Sequence, residues 1–304
     1  MLVAEGWQDY ELIDTCFGEK LERWGKFILR RPDPQAIWPK GAEEALWGSA
    51  DAVYHRSGRG GGHWEFNRDV PDKWKIKYEG LTFLIQPMQF KHTGLFPEQA
   101  VNWVWARDRI LHGLKRKRDR GQGGTVEVLN LFAYTGGATL AAVSAGARVC
   151  HVDASKGMVQ RAKENISASK LSSEMTRYIV DDARKFVKRE IRRNRRYDAI
   201  VMDPPAYGRG PDGELWRVEE QLFDLVEMCA KLLSDEPLFM VISTYASVLA
   251  PTAIKNLLSL TVEREIGGRT SCDEIGVESR SQGLVLPCGC CGRWEMETGN
   301  GRWS

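Results

Sequence analysis

No stretch of this sequence approaches the roughly 18 uninterrupted apolar residues that cross a bilayer as a helix, and Met1–Asp14 is acidic rather than basic-then-apolar. A membrane span and a secretory leader are therefore not expected; a cytoplasmic location is. Charge excess is also missing: 43 Lys and Arg against 41 Asp and Glu leave +2 over 304 residues. A nucleic-acid partner must then show itself in local clusters, not in overall balance. There are no repeats and no low-complexity segments. Seven cysteines are an odd number, mostly scattered, in a chain 42% hydrophobic and long enough to bury a core without staples. Free thiols are expected. The one dense group, Cys288, Cys290 and Cys291, has no second Cys or His pair at ligand spacing, so no metal is expected.

What is present falls into two textures. Residues 1–90 carry short aromatic-rich runs that alternate apolar and charged residues, Trp24–Leu29 and Trp74–Tyr78 among them, and Glu79-Gly80 reads as a tight hairpin leading to Leu81–Ile85. Between them lie Pro- and Gly-rich breakers and the glycine loop Gly58–Gly62, a candidate lid. A small β-rich N-terminal domain is expected, followed by a second domain over 91–304. From Pro97 the apolar spacing becomes helical through Leu111, ending in Lys115–Arg118. Strands and helices then alternate: strands at Val126–Leu131, Arg148–Val152, Arg177–Val180, Tyr197–Met202 and Leu238–Ile242, helices at Ala138–Ser144, from Ser155, at Ala183–Arg193, Glu219–Leu233 and Pro251–Leu260. Such alternation calls for a parallel α/β sheet. Thr261–Ile266 and Gly283–Leu286 read as two closing strands.

The chemistry gathers at the carboxyl ends of these strands. Phe132-Ala133-Tyr134-Thr135-Gly136 links the first strand to a small-residue helix, the geometry of a nucleotide-type cofactor turn. The dinucleotide pattern G-x-G-x-x-G is missing, and bulky Phe132 and Tyr134 stand where a pyrophosphate would need space, which argues against NAD. S-adenosylmethionine has no phosphates to cradle and fits better. Its ribose hydroxyls would meet Asp153, with Ala154 and Ser155 beside it; its adenine would meet Asp182 and Ala183; its amino-acid end would lie on Phe132–Gly136. Asp203-Pro204-Pro205 closes the fourth strand. Asp203 and the Pro204 carbonyl are candidate acceptors for a nucleobase amine, and Tyr207 a candidate stacking ring. Each aspartate could serve merely as a helix cap or turn residue; together they form a constellation. Trp216 would shape the acceptor pocket or pack under the loop.

Asn130–Gly137, Asp203–Tyr207 and Lys91–Gln99 together resemble the class I S-adenosylmethionine-dependent methyltransferases of the bacterial 23S ribosomal RNA group, over about residues 90–250. The resemblance implies a Rossmann-like seven-stranded sheet with a reversed last strand. It further implies that Thr93, Gly94, Phe96 and Gln99 fold over the cofactor, and that 23S ribosomal RNA is the substrate. One departure bears on the reaction. The cytosine carbon-5 enzymes of the group carry a nucleophilic cysteine after strand five, where this chain has Ile242-Ser243-Thr244-Tyr245. A base nitrogen is thus the expected acceptor, with small-molecule or protein acceptors, or a non-catalytic RNA assembly role, as alternatives. Two basic regions could contact RNA: Arg184–Arg196, eight of thirteen residues Lys or Arg, and Arg56, Arg59, Lys73, Lys75 and Lys77 interleaved with Trp64, Phe66, Trp74 and Tyr78.

Overall fold

The computed structural model describes residues 1–58, 61–88, 90–121, 123–245 and 249–296. Arg59 and Gly60, central to the candidate lid and docking surface, lie outside the described residues. The chain divides into two compact units: Met1–Val101 with Ile275–Cys288, and Asn102–Glu274 with Gly289–Ser304.

The first unit is β-rich. Strand β1 (Leu2–Val3) pairs in parallel with Ile275 and Gly276. Strands β2 (Tyr10–Cys16), β3 (Glu19–Trp24), β4 (Phe27–Pro32), β5 (Ala52–Arg56) and β6 (Gly62–Phe66) form one sheet in that order, with helix α1 (Glu44–Gly48) between β4 and β5. The run Trp24–Leu29 is therefore not one strand. Gly25, at φ +66°, turns the chain between β3 and β4, and the aromatics at either side of that turn hid it from an alternation count. β7 (Trp74–Tyr78) and β8 (Leu81–Ile85) form the expected hairpin. Glu79 at φ +47° and Gly80 at φ +78° give it the two left-handed turn residues whose twist matches the strands.

Alternation along β4 points Phe27, Leu29 and Arg31 inward. A buried guanidinium is tolerated only with a partner, and Arg31 finds one in fully buried Glu22, through Nε at 2.6 Å and Nη2 at 2.9 Å. Tyr10 Oη also donates to Glu22, at 2.9 Å. Burial alone would raise the Glu22 carboxyl; Arg31 and Lys20 overcome it and hold the group at about 2.

The short 3₁₀ turn Pro97–Gln99, near the end of the first unit's leading segment, runs into α2 (Ala100–Asp119), which continues in the second unit. Then follow β9 (Glu127–Leu131), α3 (Gly137–Ser144), β10 (Arg148–Asp153), α4 (Lys156–Ala168), β11 (Thr176–Val180), α5 (Ala183–Arg192) and β12 (Ala199–Met202). After a small hairpin of β13 (Tyr207–Arg209) and β14 (Leu215–Arg217) come α6 (Val218–Ala230), β15 (Phe239–Tyr245), α7 (Pro251–Leu258), α8 (Arg264–Ile266), β16 (Arg269–Glu278) and β17 (Val285–Glu295). The sheet has eight strands in the order β1-β16-β17-β15-β12-β9-β10-β11, β1 being a two-residue addition at the edge of the seven that run from β16 to β11. Its five strands from β15 to β11 are parallel, and β17 lies antiparallel on β15. This is the expected seven-stranded class I arrangement with a reversed strand. β9 is flanked by β10 on one side and β12 on the other, so the order reverses there; a crevice opens at the carboxyl ends of strands at such a point.

Two element assignments change. Thr261–Ile266 is helical, not a strand: α7 continues through a wide turn at Ser259–Glu263 into α8. The Thr261 hydroxyl donates to Leu257 O at 2.7 Å, giving a β-branched residue a helical partner. Gly267 and Gly268, both left-handed, end the helix, and a Cβ on Gly268 would sit 2.7 Å from the Trp294 indole nitrogen. The closing strands are instead β16 and β17. The second is longer than Gly283–Leu286 suggested, and it carries the cysteine group inside the sheet, where polarity gives no cue to a strand.

Replacing Glu22 with Gln should strand the buried Arg31 charge and cost roughly 3–5 kcal/mol by denaturant unfolding. Because the native Glu22 group is held below its unfolded value, its stabilisation is complete above about pH 4.5 and fades as pH falls toward 2. An acid-unfolding curve should therefore be flatter over that window in Glu22→Gln than in the parent protein.

Candidate functional site

The turn after β9 is an unusual piece of backbone. Phe132 (φ +53°), Tyr134 (φ +50°) and Gly136 (φ +89°) all occupy the left-handed region, which costs the two aromatic residues of order 1 kcal/mol or more each. The surroundings hold them there. Ala133 N donates to Val152 O at 3.0 Å, and Tyr134 N donates to Asp153 Oδ2 at 2.8 Å, so the end of β10 pins the turn. Asn165 of α4 donates to Thr135 O at 2.9 Å. A Cβ on Gly136 would lie 3.0 Å from Ala162 Cβ, and one on Gly137 2.6 Å from the Trp103 ring, so small residues let α3 and α4 close on the turn.

Asp153 has its carboxylate between two backbone donors, Tyr134 N and, at 2.8 Å on Oδ1, Ser155 N. Burial raises its proton affinity, and those two N–H groups oppose the rise. A carboxylate has about four acceptor positions, so the two backbone bonds leave capacity for further donors. Ser155 also caps α4, its hydroxyl accepting from Met158 N at 3.4 Å. Asp182 caps α5 through Oδ1, which accepts from Lys185 N at 2.9 Å. Ala183, its neighbour, is buried. Asp182 thus fills the helix-cap role that any lone aspartate could fill, while standing at the same strand edge as Asp153.

Beneath the turn lies a polar chain that no sequence motif announces. Asn130 Nδ2 donates to Thr139 Oγ1 at 2.9 Å, and that hydroxyl is 2.9 Å from His151 Nδ1. Burial drives His151 down to about 3, so it stays neutral across the physiological range. The available signal was an asparagine and a histidine each inside an otherwise apolar strand.

The fourth strand end supplies the candidate acceptor side. Asp203 N donates to Leu131 O at 3.4 Å, and Pro204 is buried. Trp216 resolves to the second of its two expected roles. It is 4% exposed, its indole donates to Pro205 O at 2.7 Å, and its ring centroid is 5.0 Å from that of Phe132. Val218 N donates to Ala206 O at 3.1 Å, tying down the same loop. One tryptophan therefore ties the Asp-Pro-Pro loop to the cofactor turn. Tyr207, at the head of β13, is 56% exposed.

Phe132, Ala133, Tyr134, Thr135, Gly136, Asp153, Ala154, Ser155, Asp182, Ala183, Asp203, Pro204 and Tyr207 all fall at or just after the carboxyl ends of β9, β10, β11 and β12. Thr93, Gly94, Phe96 and Gln99 belong to the first unit; there Gln86 N donates to Thr93 O and Gln99 N to Phe96 O. Cys290 Sγ lies 3.1 Å from Thr244 Oγ1, inside the cluster of Ile254, Leu258, Val262 and Trp294. No group of three metal-ligating side chains occurs among the described residues, and no helix there is long and apolar enough to cross a membrane.

The basic regions are partly spoken for. In Arg184–Arg196, Arg184 pairs with Asp224, Lys185 with Asp212 and Glu214, Arg189 with Asp181 and Arg193 with Glu190. Lys117, from the end of α2, binds Asp198 at 2.7 Å. In the first unit, Trp64, Trp74 and Tyr78 turn their polar atoms to the backbone of Met88, Trp24 and Glu5, as core aromatics do, while Phe66 is exposed.

Comparison with known proteins agrees with this geometry. The family described as conserved hypothetical protein 95 matches residues 113–268. Ribosomal RNA large subunit methyltransferase I of Cronobacter sakazakii is 27% identical over 224 residues, 67% of this chain and 52% of that protein. The Escherichia coli protein of the same name is 36% identical over 133 residues, 43% of this chain and 30% of its own. The chain spans about half the length, or less, of these curated relatives. Among solved structures, the SAM-dependent methyltransferase from Agrobacterium tumefaciens superposes with a TM-score of 0.90 at 34% identity, covering 97% of this chain and 93% of that one. A methyltransferase from Streptococcus mutans, 16% identical over 96% of this chain and 76% of its own, shares the fold with a TM-score of 0.72.

Trp216→Phe keeps the ring against Phe132 but removes the bond to Pro205 O. The expected loss is about 1 kcal/mol or slightly more, read as a lowered melting temperature, and the Asp-Pro-Pro loop should gain mobility in amide hydrogen exchange. Unchanged exchange at Ala206–Gly208 would show that the loop is held by other means.

Proposed function

Given that the chain belongs to the conserved hypothetical protein 95 family and to the S-adenosylmethionine-dependent methyltransferases, we propose that it transfers a methyl group from S-adenosylmethionine to a base nitrogen of large-subunit ribosomal RNA. The observation that carries this reading is the row of Asp153, Asp182 and Asp203 closing successive strands around a turn pinned open in left-handed backbone.

The residues suit that cofactor. Asp153 retains acceptor capacity for two sugar hydroxyls after binding Tyr134 N and Ser155 N. Asp182 and Ala183 offer an acceptor beside an apolar surface, as an adenine requires. Phe132–Gly136 would take the amino-acid end. The bound sulfonium supplies an already reactive methyl group, so the protein's part is alignment and exclusion of water. Asp203 and the Pro204 carbonyl hold the acceptor amine, and Tyr207 stacks on a base turned out of its helix. Nitrogen is favoured over cytosine carbon-5 because the thiol nearest Thr244, that of Cys290, lies in the core under α7. Residues 1–90 would form a separate β-domain and 91–304 the catalytic one. The RNA assignment draws on the names of the curated relatives and on the basic residues of Arg184–Arg196.

Calorimetry should show S-adenosylmethionine binding that Asp153→Ala weakens at least tenfold, and no comparable response to NAD. Asp203→Asn should keep the binding and lose methyl transfer. Mass-spectrometric mapping of ribosomal RNA from a strain lacking the gene should show one modified nucleotide reverting to its unmodified form; an unchanged map would redirect the search to other acceptors.

A further inference from the structure

Tyr245 is the last residue of β15, one position past Thr244, and its hydroxyl donates to Asp203 Oδ2 at 3.3 Å. β15 is the parallel neighbour of β12, with Met202 opposite Ile242. Continuing both strands past that pair brings the two side chains together over the same edge of the sheet. Both residues are partly buried, Asp203 and Tyr245 each keeping some access to solvent.

We infer that Tyr245 is a positioning residue of the acceptor site: its hydroxyl, engaged on Oδ2, fixes the rotation of the Asp203 carboxylate that receives the acceptor's N–H. This inference rests on the proposed role of Asp203. The terminal torsion of an aspartate is broad and intrinsically undecided. A donor engaged on one oxygen selects one orientation, and in-line transfer between nitrogen and sulfonium depends on such selection. The backbone of Asp203 is already fixed, by its own N–H on Leu131 O and by the Trp216 bond to Pro205 O. Tyr245 acts on the carboxylate itself, through Oδ2. A phenol suits the task because its O–H donates a hydrogen bond without bringing a positive charge. It orients the carboxylate without neutralising it, whereas a lysine there would compete with the acceptor for the negative charge. This also gives the segment Ile242–Tyr245 a function of its own in a chain that lacks the family's cysteine.

The test compares Tyr245→Phe, Asp203→Asn and the double variant, each first shown by calorimetry to bind S-adenosylmethionine like the parent. With protein carrying carboxyl-¹³C aspartate, the Asp203 resonance is identified by its loss in Asp203→Asn. It should be displaced in Tyr245→Phe, a readout that needs no acceptor. With ribosomal RNA from a strain lacking the gene as methyl acceptor, Tyr245→Phe should lower kcat about tenfold at unchanged KM for both substrates. It should have no further effect in the Asp203→Asn background. An unmoved carbon resonance, or an undiminished kcat where Asp203→Asn abolishes transfer, overturns the role of Tyr245 and leaves the proposed function standing. Full activity in Asp203→Asn overturns the acceptor role of Asp203, and the positioning role with it.

Discussion

The second unit depends on a carboxylate that binds two backbone N–H groups at once. Asp153 accepts from Tyr134 on one oxygen and from Ser155 on the other, and so joins the turn after β9 to the start of α4. Without it the left-handed aromatics of the turn would have little to oppose their relaxation into ordinary backbone. The strain is affordable because a hydrogen bond to a charged group contributes about 1.5–3 kcal/mol, comparable with what one such residue costs. Those two bonds leave the carboxylate with acceptor positions left over.

The rest of the site is arranged as successive layers behind that contact. Small residues at Gly136 and Gly137 bring α3 and α4 against the turn. The buried Asn130–Thr139–His151 chain pairs polar side chains with one another inside the core, and burial holds His151 neutral. Trp216 links the turn to the Asp-Pro-Pro loop through one hydrogen bond and one ring contact. The turn after β9 and the Asp-Pro-Pro loop are in this way parts of a single packed assembly.

Much of this was legible before any coordinates, because the parallel-sheet pattern rests on local signals. Ser155 and Asp182 announced their helices by capping chemistry, and Glu79-Gly80 its hairpin. What stayed hidden was whatever depends on distant partners. Trp24–Leu29 looked like one strand because a turn flanked by buried aromatics keeps the alternation of a strand. Thr261–Ile266 looked extended because its β-branched residues favour strands, while the hydroxyl bond to Leu257 that makes the helix acceptable is visible only in three dimensions. Tyr245 could not be tied to Asp203, forty-two residues away in the chain, without knowing which strand lies beside which.

The closing hairpin has a consequence for biosynthesis. β16 leaves the second unit, the chain passes through Ile275–Cys288 in the first, and β17 returns to complete the second against β15. Leu2 and Val3 pair with Ile275 and Gly276, which are translated some 270 residues later. That pairing in the first unit therefore waits until the segment has been made. Neither unit can be released in finished form ahead of the other, and a chain interrupted before β16 leaves an open sheet edge at both, a natural target for quality-control proteases.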